Sequence, residues 1–151
     1  MKKILIGADH RGFFLKEKIK KYLSEKYKYR LIDVGNYFYD IEDDYPDFAK
    51  ALAEKFDKNS LGILICGSGV GVSIVANKFK GIRCGICFDE RQAKAAKEED
   101  NINVLALPAD FVSFQKAKKI INEFLKSKFK RKEKYIRRIK KINQIEELLF
   151  R

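Results

Sequence analysis

Five short apolar runs that alternate with amphipathic segments make this chain an α/β domain, built on an open parallel sheet with helices on both faces. Parallel neighbours need right-handed crossovers, and a strand–helix alternation supplies them. The run Leu61-Gly62-Ile63-Leu64-Ile65 is apolar throughout, the character of a strand covered on both sides. A length of 151 residues with 46% apolar content suits one domain with a full core. No repeat, low-complexity tract or Pro/Gly/Ser linker divides residues 1–151, so the chain reads as a single unit.

The elements follow in order. Lys3 to Gly7 is a short strand ending at Ala8-Asp9-His10. A helix from Gly12 to Tyr27 carries Phe13, Phe14, Ile19, Tyr22 and Leu23 on a helical period. The second strand, Arg30 to Val34, stops at Gly35. Asn36 to Pro46 is aromatic, acidic and irregular, a loop long enough to have a function. Pro46 opens a helix with Phe48, Ala49, Leu52, Ala53 and Phe56 on one side. The central strand runs into Cys66-Gly67-Ser68-Gly69-Val70-Gly71 and then a helix from Val70 to Phe79. A strand from Gly81 to Cys87, a helix from Glu90 to Glu99, a strand from Asn103 to Leu107 and a helix from Ser113 to Lys126 complete the alternation. A last helix at about 134–150 places Ile136, Ile139, Ile142, Ile145 and Leu148 or Leu149 at three-to-four spacing. That stripe packs on the body or on a partner subunit.

Charge is concentrated at the C-terminal end. The formal net charge is +12, and residues 116–151 hold fourteen Lys/Arg against four Asp/Glu, a net of +10. A basic segment of this kind can meet nucleic acid, a membrane surface or phosphorylated ligands, but the isoleucine stripe favours a packed helix with a solvated basic face. The N-terminal apolar run is too short for a signal peptide, and no stretch reaches the length of a membrane span, so the expected location is cytoplasmic. Cys66, Cys84 and Cys87 are an odd number in such a chain, which argues against a disulfide framework. Cys84-x-x-Cys87 lies in a strand, where residues three apart point to opposite faces, so no metal site is expected there.

The glycine-rich turn after the central strand is the chemical centre. Its spacing lacks the third glycine of a dinucleotide fingerprint and the Gly-Lys-Ser/Thr of a P-loop. What remains is a turn whose backbone N–H groups can hold an oxyanion or phosphate, or else a tight strand-to-helix connection. A thiol at Cys66 feels the start of the following helix, which favours the thiolate and suits it as a base or nucleophile. Ligands of open parallel sheets collect beyond the carboxyl ends of the strands. That rule brings Asp9 and His10 beside Cys66, Ser68 and the amides of Gly67, Gly69, Val70 and Gly71. The plainer alternative leaves Asp9 as a helix cap and His10 as a surface residue.

The segments Gly7-Ala8-Asp9-His10-Arg11-Gly12-Phe13-Phe14-Leu15-Lys16, Asp44-Tyr45-Pro46, Ile65 to Gly71, Ala76-Asn77-Lys78 with Gly81-Ile82-Arg83, and Asn103-Val104-Leu105 resemble ribose-5-phosphate isomerase B and its galactose-6-phosphate isomerase relatives. The resemblance covers almost the whole chain. It implies a Rossmann-like three-layer α/β/α sandwich with a five-stranded parallel sheet, and a homodimer or tetramer with active sites between subunits. It also implies interconversion of a phosphorylated aldose and ketose, most simply ribose 5-phosphate and ribulose 5-phosphate, through an enediolate. Such a reaction needs one base that acts twice and donors for a developing oxyanion, with no metal or organic cofactor. By the resemblance, Cys66 is that base and Ser68 relays a proton. Asp9, His10 and the amides of Gly67, Gly69, Val70 and Gly71 bind the sugar phosphate.

Departures from the family pattern bear on the substrate. Where the family has a His-Asn pair before Asn-Val-Leu, this chain has Glu99-Asp100, assigned here to ring opening and substrate binding. The family's Gly-Ser-Arg after the fifth strand is Pro108-Ala109-Asp110, and its Arg-His before the last helix is Lys134-Tyr135. Lys134 and Arg138 remain as phosphate ligands, Lys as a point charge and Arg as a fork. Alternatives are an isomerase for an allose- or galactose-6-phosphate type of substrate, a homologue that only binds sugar phosphates, or, more remotely, a basic nucleic-acid-binding protein.

Overall fold

A computed structural model describes residues 2–150. The strands are β1 (Lys3–Ala8), β2 (Arg30–Asp33), β3 (Ser60–Cys66), β4 (Cys84–Ile86) and β5 (Val104–Pro108). They form one all-parallel sheet in the order β2-β1-β3-β5-β4. The helices are α1 (Phe13–Lys26), α2 (Tyr45–Lys55), α3 (Val70–Ala76), α4 (Glu90–Asp100), α5 (Phe114–Lys126) and α6 (Glu133–Leu149).

Side-chain alternation along the strands divides the core into two layers. Ile4, Ile6 and Ala8 of β1, Ile63 and Ile65 of β3, and Leu105 and Leu107 of β5 pack with Ile19 and Leu23 of α1, Ala93 of α4 and Ile120 and Phe124 of α5. Leu5, Leu64, Cys66, Val104 and Ala106 face the other way, against Ala49 and Leu52 of α2 and Val72 and Ala76 of α3. The expected three-layer sandwich is the observed one. Cys84 and Cys87 fall in opposite layers, as their spacing dictates.

Three features depart most from the sequence reading. The helix expected to reach Phe79 ends at Ala76, because Asn77 turns back to bind both backbone groups of Cys84, accepting from its N–H at 2.8 Å and donating to its carbonyl at 3.0 Å. The strand expected over 81–87 shrinks to Cys84–Ile86, an edge strand held only on its β5 side. The third concerns α6, which keeps a single buried residue, Tyr135. Ile136, Ile142, Ile145, Leu148 and Leu149 are each at least 40% exposed. Ile142, Ile145 and Leu149 line a cavity of about 470 Å³ with Ile82, Cys84 and Ile102, so the stripe faces the body without closing on it. No helix among the described residues is long and apolar enough to cross a membrane.

Candidate active site

Adjacent strands β1 and β3 deliver the site. The sheet order reverses direction around this pair, and their carboxyl ends are joined by the Asp9 N–H donating to the Ile65 carbonyl at 3.3 Å. Cys66 is the last residue of β3, and its carbonyl accepts from Ala109 N–H at 2.9 Å; the Gly67 carbonyl accepts from Asp110 N–H at 3.0 Å. The loop is thus pinned on both flanks before it turns.

Gly69 makes the turn, with φ +73° and ψ −14°, a left-handed conformation that costs other residues. Beyond it the Val70 N–H donates to Ser68 Oγ at 3.2 Å. Among the described residues the N–H groups of Ser68, Gly69 and Gly71 have no protein acceptor. These amides are the donors that an oxyanion can use, with Val70 partly committed to Ser68. Helix α3 is two turns long, so the loop amides themselves, more than a long helix dipole, supply the positive field.

The Cys66 thiol is deeper than its sequence position suggested. Only 4% of the residue is exposed, and it belongs to the apolar layer beneath α2 and α3. It lies at the floor of the loop, where Gly67 and Gly69 are also buried while Ser68 and Gly71 are partly exposed.

Asp9 and His10 do come to this strand end, where Asp9 takes the capping position that the plainer alternative gave it. Asp9 Oδ1 accepts from Gly12 N–H at 3.1 Å, capping the turn into α1, and the residue is 4% exposed. Burial pushes its carboxyl above the ordinary value, against the Gly12 hydrogen bond that pulls the other way. His10 is positioned by a residue that the sequence reading passed over: Asp43 Oδ1 accepts from His10 N–H at 2.8 Å and lies 2.7 Å from His10 Nδ1. That hydrogen bond raises the imidazole above its usual value, so His10 holds its proton to higher pH. Asn36 donates to Asp43 Oδ2 at 2.9 Å and so fixes its other oxygen.

The irregular loop after β2 exists to carry this arrangement. Its anchor is Lys16, fully buried, whose ammonium binds Asp33 at 2.9 and 3.0 Å and the carbonyl of Asn36. Asp9, His10 and Asp43 present three ligand atoms within 4.8 Å of one another, the one group among the described residues that could hold a metal ion. The 2.7 Å contact between His10 and Asp43 is hydrogen-bond geometry, which suits a proton-holding pair.

Two more residues border the loop. A Cβ placed on Gly67 would run into the Arg11 guanidinium, so Arg11 lies directly over Gly67, and it forms an ion pair with Asp110. A Cβ on Gly71 would meet the Tyr45 ring at 2.6 Å, so that ring packs on the far end of the loop. The available signals were the acidic run before Pro46 and an arginine next to His10.

Glu99, Asp100, Lys134 and Arg138 are elsewhere. Helix α4 runs from the carboxyl end of β4 back to the amino end of β5, which leaves Glu99 and Asp100 at the opposite edge of the sheet from Cys66. Register pairs Gly62 with Val104 at one end and Cys66 with Pro108 at the other, four steps or about 13 Å apart. Lys134 and Arg138 sit on the first turns of α6, which packs on α4. A single chain therefore presents two separate groups, Asp9, His10 and residues 66–71 in one, and Glu99, Asp100, Lys134 and Arg138 in the other.

The Ribose/Galactose Isomerase family model matches residues 4–142. The chain belongs to that family. Among ribose/galactose isomerases, a probable ribose-5-phosphate isomerase B of Mycoplasma genitalium is 44% identical over 146 residues, 95% of this chain and 95% of that protein. Ribose-5-phosphate isomerase B of Escherichia coli is 40% identical over 131 residues, 85% and 87% of the two. The crystal structure of the Mycoplasma genitalium ribose-5-phosphate isomerase B with bound ribulose-5-phosphate matches this fold with a TM-score of 0.92, at 41% identity, covering 96% of each chain.

Proposed function

We propose that this chain is an aldose–ketose isomerase that interconverts ribose 5-phosphate and ribulose 5-phosphate, with Cys66 as the proton-transfer base. The observation that carries this reading is the near-complete likeness to a ribose-5-phosphate isomerase B with bound ribulose-5-phosphate. The chain's own loop supports it, because a thiol floor beneath unpaired amides is what enediolate chemistry requires.

In the open-chain aldose, Cys66 takes the proton from the carbon next to the carbonyl and returns it to the carbonyl carbon. Negative charge that develops on the oxygens in between is met by the amides of Ser68, Gly69 and Gly71, each such donor contributing about 3 kcal/mol at the barrier. Ser68 Oγ moves a proton between the two oxygens. Asp9 and His10, the latter held by Asp43, bind the sugar hydroxyls. Arg11 offers a cation over Gly67 on a chain whose Asp110 replaces the arginine that the family pattern places there.

The remaining residues come from a second copy. Glu99 and Asp100 at the end of α4 and Lys134 and Arg138 on α6 lie too far from their own Cys66, and the rim of the loop exposes large apolar side chains that a partner would cover. Val70, Ile74, Phe88 and Phe111 are 46–69% exposed. In that assembly Glu99 assists ring opening and Arg138 binds phosphate.

Incubation of the protein with a panel of aldose phosphates in deuterated water, followed by NMR, tests the proposal. Ribose 5-phosphate is expected to give ribulose 5-phosphate with deuterium at the exchanged carbon. Turnover of a six-carbon phosphate alone would move the assignment to another substrate, and no exchange with any of them would leave a binding homologue.

A further inference from the structure

A cavity of about 500 Å³ opens at the amino edge of the sheet, the end away from Cys66. Lys2, Lys58, Lys80, Arg83 and Lys97 all line it. The carboxylate on its wall, Asp57, is already engaged, accepting from Lys3 at 2.8 Å, from Ser60 Oγ at 2.8 Å and from Asn59 N–H at 2.9 Å. Lys80 pairs with Glu147, and Glu146 accepts from Gly81 N–H at 2.7 Å. Among the described residues, no carboxylate lies within ion-pair distance of Lys2, Lys58, Arg83 or Lys97.

Two of those cations are half-buried and held in place by backbone carbonyls. Arg83 Nε donates to the Asn101 carbonyl at 2.9 Å, and Lys97 Nζ donates to the Ile102 carbonyl at 2.9 Å. Each keeps further N–H groups unspent. Burial, reinforced by Lys2 and Arg83, pushes Lys97 down to about 8. Burial also lowers Arg83, with Glu146 opposing it. Like charges gathered in a concave, partly desolvated place raise the energy of the empty fold, and a bound anion reverses the sign of that contribution. The volume exceeds one phosphate, and four uncompensated cations exceed what one phosphate neutralises.

We propose that this cavity is a second anion site, distinct from the catalytic loop, which takes a small metabolite carrying a diphosphate or two phosphate groups. Arg83 and Lys97 form its floor, and Lys2 and Lys58 its rim. β3 alone separates the two ends by six residue steps, about 20 Å, so the cavity lies apart from the chain's own Cys66 loop.

Pyrophosphate is the probe, titrated calorimetrically into the full-length protein at fixed ionic strength. Binding is expected to weaken at least tenfold in Lys97→Met and in the rim variant Lys58→Glu, and to persist unchanged in Arg138→Ala. NMR of lysine labelled at the ε carbon should show the Lys97 titration midpoint rising by a unit or more when pyrophosphate saturates. Binding lost in Arg138→Ala and kept in Lys97→Met and Lys58→Glu would place the anion in the isomerase site and overturn the proposal. So would a Lys97 midpoint that pyrophosphate leaves in place.

Discussion

Replacing Gly69 by alanine separates the cost to the fold from the cost to the chemistry. An L residue at φ +73° bears about 1–2 kcal/mol of steric strain. The new methyl would sit 3.2 Å from Ile86 Cγ2, 3.3 Å from the Leu107 carbonyl carbon and 3.3 Å from Pro108 N. Two of those three atoms are backbone, so the loop must yield, adding about 1 kcal/mol at the low end of overpacking costs. A total of about 2–3 kcal/mol corresponds to a fall of roughly 4–12 °C in Tm for a chain of this size. The chemical cost is larger, because the same shift misaims the amides on either side of residue 69. Loss of one aligned oxyanion donor lowers kcat by about 10²–10³. Thermal melts and steady-state kinetics on ribose 5-phosphate read the two effects separately. A variant destabilised as expected yet turning over within twofold of the parent would show that these amides do not meet the developing charge.

Two further outcomes concern the supports of the site. Lys16→Met keeps the buried stem but strips the ammonium from Asp33 and the Asn36 carbonyl. Because Lys20 still reaches Asp33 at 2.6 Å, the loss should sit near the low end for a broken buried pair, about 3 kcal/mol in urea unfolding. A loss below about 1 kcal/mol would contradict the anchoring role. For His10, the folded imidazole is raised above 6.5 by Asp43, so its stabilising contribution is complete below that unfolded value and disappears as pH rises through the folded one. The stability gap between the parent and Asp43→Asn should therefore narrow from pH 6 towards pH 9; a gap independent of pH would remove the charged pair from the account.

Much of the fold is written in local pattern. Apolar runs such as Ile63-Leu64-Ile65 announce strands buried on two faces, and glycine spacing after Cys66 marks the turn into a helix. Adjacency of β1 and β3 follows from general rules of parallel sheets, which is why the sequence alone gathers Asp9, His10 and the loop. What could not be read is set by contacts remote in sequence. Arg11 meets Asp110 across 99 positions, and Asp43 reaches His10 across 33, through a loop with no periodicity to interpret. The depth of Cys66 depends on α2 and α3 closing over β3, a property of packing and not of the strand itself. The stripe on α6 predicted a buried face, yet in one chain that face stays half open, because amphipathicity specifies that a surface be covered without saying by what.

The central claim is that the sulfur of Cys66 moves the proton. Solvent deuterium incorporation into ribose 5-phosphate and ribulose 5-phosphate, followed by NMR for the parent and for Cys66→Ala, tests it most directly when paired with calorimetric binding of the same sugar phosphate. The account predicts that Cys66→Ala binds the sugar phosphate within a few-fold of the parent and exchanges no deuterium above the uncatalysed background. Exchange at the parental rate in Cys66→Ala would contradict it and assign the base to another group at the end of β1 or in the loop after β2.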